Sequence, residues 1–288
     1  MTFNLRDSDD EEKENLWADR HDHVAEIINR YRPVVLGAQE GVLDQLDDLH
    51  DVVMPQYEHF GDARETGSEY VQVFFDTNVV EFLNGSTFRL SETPNEAESI
   101  GWDAASIRIA TWCQFRLRAT QQEFFFVNTQ LDNKGKTARL NGAKVIWGEM
   151  KNLIPNTDKT PLFLTGDLND MRPSDVYQFL TTDPAGPLFH DAWSVAEHAI
   201  GSVSNSYHHW LGPAYDKTKH IDWIDPLMDH PDIPGANHID FILSRPRLPV
   251  IMTEVITEAL NGQYPSDHYP IVAEYLFPSA SKLPSPSN

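Results

Sequence analysis

The chain has 288 residues, 40% hydrophobic and 23% charged, which excludes intrinsic disorder and supplies enough apolar material for a sizeable core. Acidic residues outnumber basic ones 44 to 22, for a formal charge of −22, so the field of the whole molecule repels polyanions and disfavours long nucleic acid and anionic membranes as partners. Cys113 is the single cysteine, which rules out a disulfide framework and a cysteine-rich zinc module.

Thr2-Phe3-Asn4-Leu5 reads as the end of a strand that starts further upstream, which leaves a leader and secretion open and favours the cytoplasm only slightly. No run approaches the roughly 18 apolar residues of a membrane span. Residues 7–14 form an acidic run expected in a solvated loop or the first turn of a helix. Val24, Ile27, Ile28 and Tyr31 recur at helical spacing across residues 16–32 until Pro33 stops the pattern, which predicts an outer amphipathic helix. Val34-Val35-Leu36 leads a strand that ends in Glu40, and residues 41–50 read as a second helix. Residues 69–76, 79–82, 111–118 and 123–128 are β-branched or aromatic runs between turn residues and predict strands of a large sheet. An amphipathic helix over 137–154 follows, then a short strand, 162–164, that runs into Gly166-Asp167, and a short helix after Pro173. Residues 201–237 are irregular and rich in Pro, Asp, His and Trp, the composition of a long surface loop. Strands at 239–243, 250–256 and 271–276 close a single domain over residues 1–277, and 278–288 form a Pro/Ser-rich tail. Two β-rich halves with helices between and around them predict one α/β sandwich.

Polar residues gather at the ends of these strands: Asn4, Glu40, Asn128, Asp167 with Asn169, Asp240, and Asp267 with His268. Strand ends deliver side chains into a shared cleft. This set is rich in the oxygen ligands a hard cation takes, and the imidazole adds a group that is protonated near neutral pH. His21 and His23, two apart on a helix, do not face one ligand together.

Six segments in order carry a resemblance. Thr2-Phe3-Asn4-Leu5-Arg6, Gln39-Glu40, Asn128-Thr129-Gln130-Leu131-Asp132, Gly166-Asp167-Leu168-Asn169, His238-Ile239-Asp240-Phe241-Ile242 and Ser266-Asp267-His268-Tyr269-Pro270 resemble the ordered signature of the endonuclease/exonuclease/phosphatase superfamily of metal-dependent phosphohydrolases. Gly101-Trp102-Asp103, Arg108-Ile109-Ala110-Thr111-Trp112 and Phe88-Arg89-Leu90-Ser91-Glu92-Thr93-Pro94 further resemble a microbial and fungal branch that does not fix a substrate. The resemblance implies a four-layer α/β/β/α sandwich, two mixed sheets flanked by helices, with the active cleft at one edge of both sheets. It implies Mg²⁺, with Mn²⁺ as an alternative, held mainly by Glu40 with Asn4 and Asp267 nearby. Asp167 would orient or deprotonate the attacking water, Asn169 would position water and phosphate, His268 would bind the phosphoryl oxygens, and Asp240 would hold the His268 ring. Asn128, Gln130, Arg108 and His208 complete the expected substrate-binding set.

Two departures stand out. Gln130 occupies a position where the superfamily usually has histidine; glutamine still donates a hydrogen bond but carries no charge, which leaves open a slower enzyme, a shifted substrate or a lost activity. The segment His220-Ile221-Asp222-Trp223-Ile224 nearly duplicates His238-Ile239-Asp240-Phe241-Ile242; the second is followed by strand-like sequence and is taken as the motif. The loop around these residues, with His208, His209, Trp210, Tyr215, Lys219 and Trp223, is a candidate cover for the cleft. The resulting expectation is a hydrolase of phosphate esters, phosphodiesterase or phosphomonoesterase, on a small or lipid-linked substrate. A nuclease on short or single-stranded nucleic acid, and a cleft reused for a ligand such as a sugar, stay open, as does the oligomeric state.

Overall fold

A computed structural model describes residues 1–8, 15–53, 56–201, 205–215 and 238–277. Most of the acidic run, the near-duplicate motif with Lys219 and Trp223, and the tail lie outside the described residues.

Two mixed sheets pack face to face. The first runs in the order β10 (Ala196–Ile200), β12 (Val250–Val255), β13 (Ile271–Tyr275), β1 (Thr2–Asn4), β2 (Val35–Gln39), β4 (Val71–Asp76) and β3 (Tyr57–Phe60). The second runs β5 (Val80–Arg89), β6 (Ile109–Leu117), β7 (Glu123–Gln130), β8 (Leu162–Asp167), β11 (Asp240–Arg245) and β9 (His190–Asp191). Helix α1 (Trp17–Tyr31) covers the outer face of the first sheet, where Val24, Ile27 and Ile28 pack with Phe3, Leu36 and Phe74. Helices α3 (Lys136–Leu153) and α4 (Asp175–Thr181) cover the second, with Ile146, Met150 and Phe179 against Phe125, Val127 and Leu164. The predicted second helix is shorter than expected: α2 (Leu43–Asp48) passes into a π-helical turn, Leu49–Val53. A further short helix, α5 (Ala192–Val195), links β9 to β10. Strands β3, β9 and β10 are additions to the expected set. They are short, at most five residues, and too polar on one face to stand out as apolar runs.

The layer between the sheets changes character along its length. Side chains alternate across a strand, so on β7 Phe125 and Val127 meet helix α3 while Phe124, Phe126, Asn128 and Gln130 point inward. On β8 Phe163 packs between the sheets and is followed on the same face by Thr165 and Asp167. On β2 the corresponding residues are Val35, Gly37 and Gln39. One end of the interlayer is therefore aromatic and the other is polar. Gly37 is required where the sheets approach at the polar end, because a Cβ there would lie 2.6 Å from both Asn128 Oδ1 and Thr165 Oγ1.

Strand direction converts this gradient into a site. β1 and β2 are parallel, with Asn4 opposite Gln39, so Asn4 and the following Glu40 leave the first sheet together. β7 and β8 are also parallel, with Gln130 opposite Asp167, and antiparallel β11 begins there with Asp240 opposite Asp167.

Candidate active site

Glu40 follows β2 with φ at +63°, a left-handed conformation that side-chain-bearing residues adopt mainly where the surroundings impose it. It turns the carboxylate back over the strand ends. Glu40 Oε1 accepts from Gln130 Nε2 at 2.6 Å and from Asn4 Nδ2 at 2.8 Å, while Arg6 Nη1 stands 3.6 Å from Oε2. Burial works against the Glu40 carboxylate, but Arg6 and then His268 outweigh it and hold the pKa below its ordinary value. Asn4 Nδ2 also lies 3.4 Å from Asp167 Oδ2, and its Oδ1 accepts from the Arg6 amide.

Asp167 ends β8, after Gly166 at φ +140°. Glycine is obligatory there because a Cβ would fall 1.8 Å from the Thr129 carbonyl oxygen. Asp167 Oδ1 accepts from the Asn169 amide at 2.8 Å, a tight Asx turn that puts Asn169 at φ +47° and lets its Nδ2 donate to the Leu131 carbonyl at 2.9 Å. Burial, then Asp240, push the Asp167 carboxyl up to about 7.

His268 Nδ1 sits 2.9 Å from Asp240 Oδ2, and its Nε2 reaches toward Asn4 Nδ2 at 3.5 Å. Burial alone would disfavour the imidazolium, yet Asp240, then Asp267 and Asp167, push its pKa up to about 10. The ring is held by a buried carboxylate that favours its charged form.

Glu40, Asp167 and His268 each present a ligand atom within 4.8 Å of the others. His268 is engaged by Asp240 through Nδ1, and the two carboxylates supply the hard oxygen atoms that a cation of the Mg²⁺ type takes. Glu40 Oε2 adds to that fit: it is buried and accepts no hydrogen bond. Hard carboxylate oxygens suit Mg²⁺ or Mn²⁺. Of the other expected ligands, Asn4 turns its nitrogen toward Glu40, and Asp267, buried with its pKa raised mainly by burial, accepts from Ser266 Oγ at 3.3 Å.

The expected substrate-binding residues divide. Gln130 faces the cleft, whereas Asn128, Arg108 and His208, the other residues of the expected substrate-binding set, lie buried behind it. Asn128 is fully buried as a cross-sheet strut: Nδ2 donates to the Ala38 and Gln72 carbonyls, both at 2.8 Å, and Oδ1 accepts from Gln39 Nε2 at 2.6 Å. Arg108 donates from Nε to Asp132 Oδ2, from Nη1 to Gln130 Oε1 and from Nη2 to Asn133 Oδ1 at 3.1, 2.9 and 3.0 Å. It therefore orients Gln130. His208 stacks on Tyr269 with centroids 3.9 Å apart, and burial drives its pKa down to about 3. Part of the acidic run is also not solvated, since Asp7 is buried beside Arg6.

Three supporting residues carry no motif. Arg20 of α1 is fully buried and donates to the carbonyls of Leu5, Arg6 and Pro265 at 2.5, 2.8 and 3.0 Å, clamping the segments that carry Asn4 and His268. Ser206 Oγ accepts from the amides of Ile239 and Asp240 at 2.8 and 3.0 Å. Tyr207 sets its ring edge-on to His268 at 5.0 Å. Arg20 was open to detection: it falls on the same stripe as Trp17, Val24 and Ile27, where an arginine must find buried acceptors.

Residues 1–268 match the sequence pattern of the Endonuclease/Exonuclease/phosphatase family. The chain belongs to this family. It is similar to an endonuclease/exonuclease/phosphatase from Bacteroides vulgatus, at 30% identity over 96% of this chain and 97% of that one, with a TM-score of 0.82. A mannosyl-6-phosphatase from Bacteroides thetaiotaomicron is 25% identical over 96% and 98% of the two chains, with a TM-score of 0.79. The TDP2 of D. rerio, complexed with a single-strand DNA product, shares the fold at 17% identity over 96% and 97% of the chains, with a TM-score of 0.67. No curated protein sequence matches the chain. The four-layer sandwich is thus the endonuclease/exonuclease/phosphatase fold, a phosphohydrolase fold. Among the described residues no helix is long and apolar enough to cross a membrane.

Proposed function

We propose that the protein is a Mg²⁺- or Mn²⁺-dependent hydrolase of phosphate esters, acting on a small or lipid-linked substrate in preference to long nucleic acid. The convergence of Glu40, Asp167 and an Asp240-held His268 at one sandwich edge carries the reading. Glu40 and Asp167 would hold the cation, with Asn4 and Asp267 beside them. When bound, the cation supplies positive charge to the phosphoryl oxygens. Asp167 and Asn169 orient the attacking water, and Asp167 takes its proton. His268 donates from Nε2 to a phosphoryl oxygen as negative charge develops, and Asp240 keeps that donor charged and aimed. Gln130, held by Arg108, fixes Glu40 and offers no charge to phosphate. The net charge of −22 supports the preference against polyanions, whose binders carry a basic stripe.

The test is turnover of p-nitrophenyl phosphate and bis(p-nitrophenyl) phosphate with Mg²⁺ or Mn²⁺, with and without EDTA. Metal-dependent release of nitrophenolate is expected from at least one ester. Absence of turnover on both in either metal would refute the proposal.

A further inference from the structure

Asp240 and His268 meet across the two sheets. Asp240 opens β11 in the second sheet and His268 lies just before β13 in the first, so among the described residues no strand ladder joins them. Their 2.9 Å contact needs another element to set its register, and the segment Ser206-Tyr207-His208 supplies it. Residues 206–208 lie antiparallel to residues 267–269, with Tyr207 opposite His268. The His208 amide donates to the Asp267 carbonyl at 2.8 Å and the Tyr269 amide donates to the Ser206 carbonyl at 2.7 Å, which holds the His268 backbone on both sides. From the same segment Ser206 Oγ turns to the other sheet, where it is the shared acceptor of the Ile239 and Asp240 amides at 2.8 and 3.0 Å. The Ile239 carbonyl in turn accepts from the Leu168 amide at 2.8 Å, within the turn that carries Asp167 and Asn169. One fully buried serine thus bonds the His268 segment through its carbonyl and the Asp240 segment through its hydroxyl.

A hydroxyl suits this place because its oxygen has two lone pairs and accepts two amides at once. Both amides stand at the entry to β11, where Asp240 comes into register with Asp167 of β8. Alanine would leave the two donors without that acceptor in a buried setting, and the strand entry would shift to satisfy them. The shift would fall on Asp240, whose side chain meets His268 Nδ1 through a bond that weakens steeply with distance and angle.

We infer that Ser206 is a positioning residue, which sets Asp240 against His268 across the two sheets and so aims the imidazole at the phosphoryl group. The inference rests on the phosphate-ester reading above and adds to it a residue that acts on the site without reaching the cleft.

The experiment measures kcat and KM for p-nitrophenyl phosphate and bis(p-nitrophenyl) phosphate, per folded molecule, in the full chain and in its Ser206→Ala and Ser206→Cys variants. Each variant is also made in an Asp240→Ala background, and thermal melting is recorded alongside. Ser206→Ala should lower kcat about 10- to 100-fold and leave KM within about threefold, the pattern of a displaced group that acts in the transition state. Ser206→Cys, whose sulfur is a weaker acceptor, should give a smaller fall in the same direction, and it carries the comparison where the alanine variant does not fold. With Asp240 already replaced, the serine substitutions should change kcat by less than about twofold, because the group they position is gone. A lower melting temperature with kcat unmoved in both variants, or an equal fall of kcat in the Asp240→Ala background, would overturn the inference and leave the hydrolase reading standing. No turnover of either ester by the native chain would overturn both.

Discussion

Replacing Asp240 by Asn tests whether His268 acts as a charged donor. The amide oxygen of Asn keeps an acceptor opposite Nδ1, so the ring orientation survives while the charge is removed. In the native chain the pair is 2.9 Å apart and nearly fully buried, and Asp240 is the foremost group raising the His268 pKa to about 10. A hydrogen bond to a charged partner contributes about 1.5–3 kcal/mol, and one pH unit corresponds to about 1.4 kcal/mol. The alkaline limb of kcat/KM, expected near pH 10 in the native enzyme, should therefore move down by about one to two pH units. The stability effect has a defined sign. A histidine with a raised folded-state pKa contributes fully below its unfolded value, near 6.5, and that contribution is lost as pH rises toward 10. The native chain should lose stability across this window, and Asp240→Asn should lose less. The assay is a pH–rate profile from pH 6 to 10.5 with urea unfolding at matched pH values. An alkaline limb that stays in place in the variant would refute the charged-donor role.

The other expectations concern the same cluster. Glu40→Gln removes the carboxylate whose buried Oε2 accepts no hydrogen bond, and titration calorimetry should show Mg²⁺ binding weakened at least tenfold. Gln130→Leu strips Arg108 Nη1 of its acceptor where Arg108 is only 7% exposed; urea unfolding should show a loss of about 1–3 kcal/mol, and calorimetry metal affinity about 10- to 100-fold weaker. Gly166→Ala would drive a Cβ to 1.8 Å from the Thr129 carbonyl, and thermal melting should show a loss of about 4 kcal/mol or more, or no folded protein.

The strands that carry the site were legible because their apolar runs stop abruptly at polar residues: Phe124 to Val127 before Asn128, and Leu162 to Leu164 before Asp167. Those transitions mark the end of the dry interlayer. Which polar residue reaches the cleft was less legible, because the same period-two alternation that sends Gln130 to the cleft sends Asn128 into the layer behind it. Motif membership does not distinguish the two; depth along the strand does. Arg108 and His208 show the same limit: a charged or titratable side chain near a motif carries no sign of its depth, and here buried acceptors and a stacked tyrosine hold the two inward. The clamp made by Arg20 joins residues 245 positions apart, a closure that local pattern does not encode.

The graded interlayer holds the two ends of the sandwich together by different means. At the far end Phe115, Phe124, Phe126 and Phe163 adhere by apolar contact, which weakens on cooling. At the end that carries the candidate site the sheets are joined by the hydrogen bonds of Asn128 and Gln39, and among the described residues no comparable aromatic cluster lies between them there. Asn4 and Glu40 belong to one sheet and Asp167 and Asp240 to the other, so the candidate site holds together only while the two sheets keep their register. The alignment of the two halves of the candidate site thus rests on hydrogen bonds between the sheets, and the aromatic packing that grips the far end does not reach it.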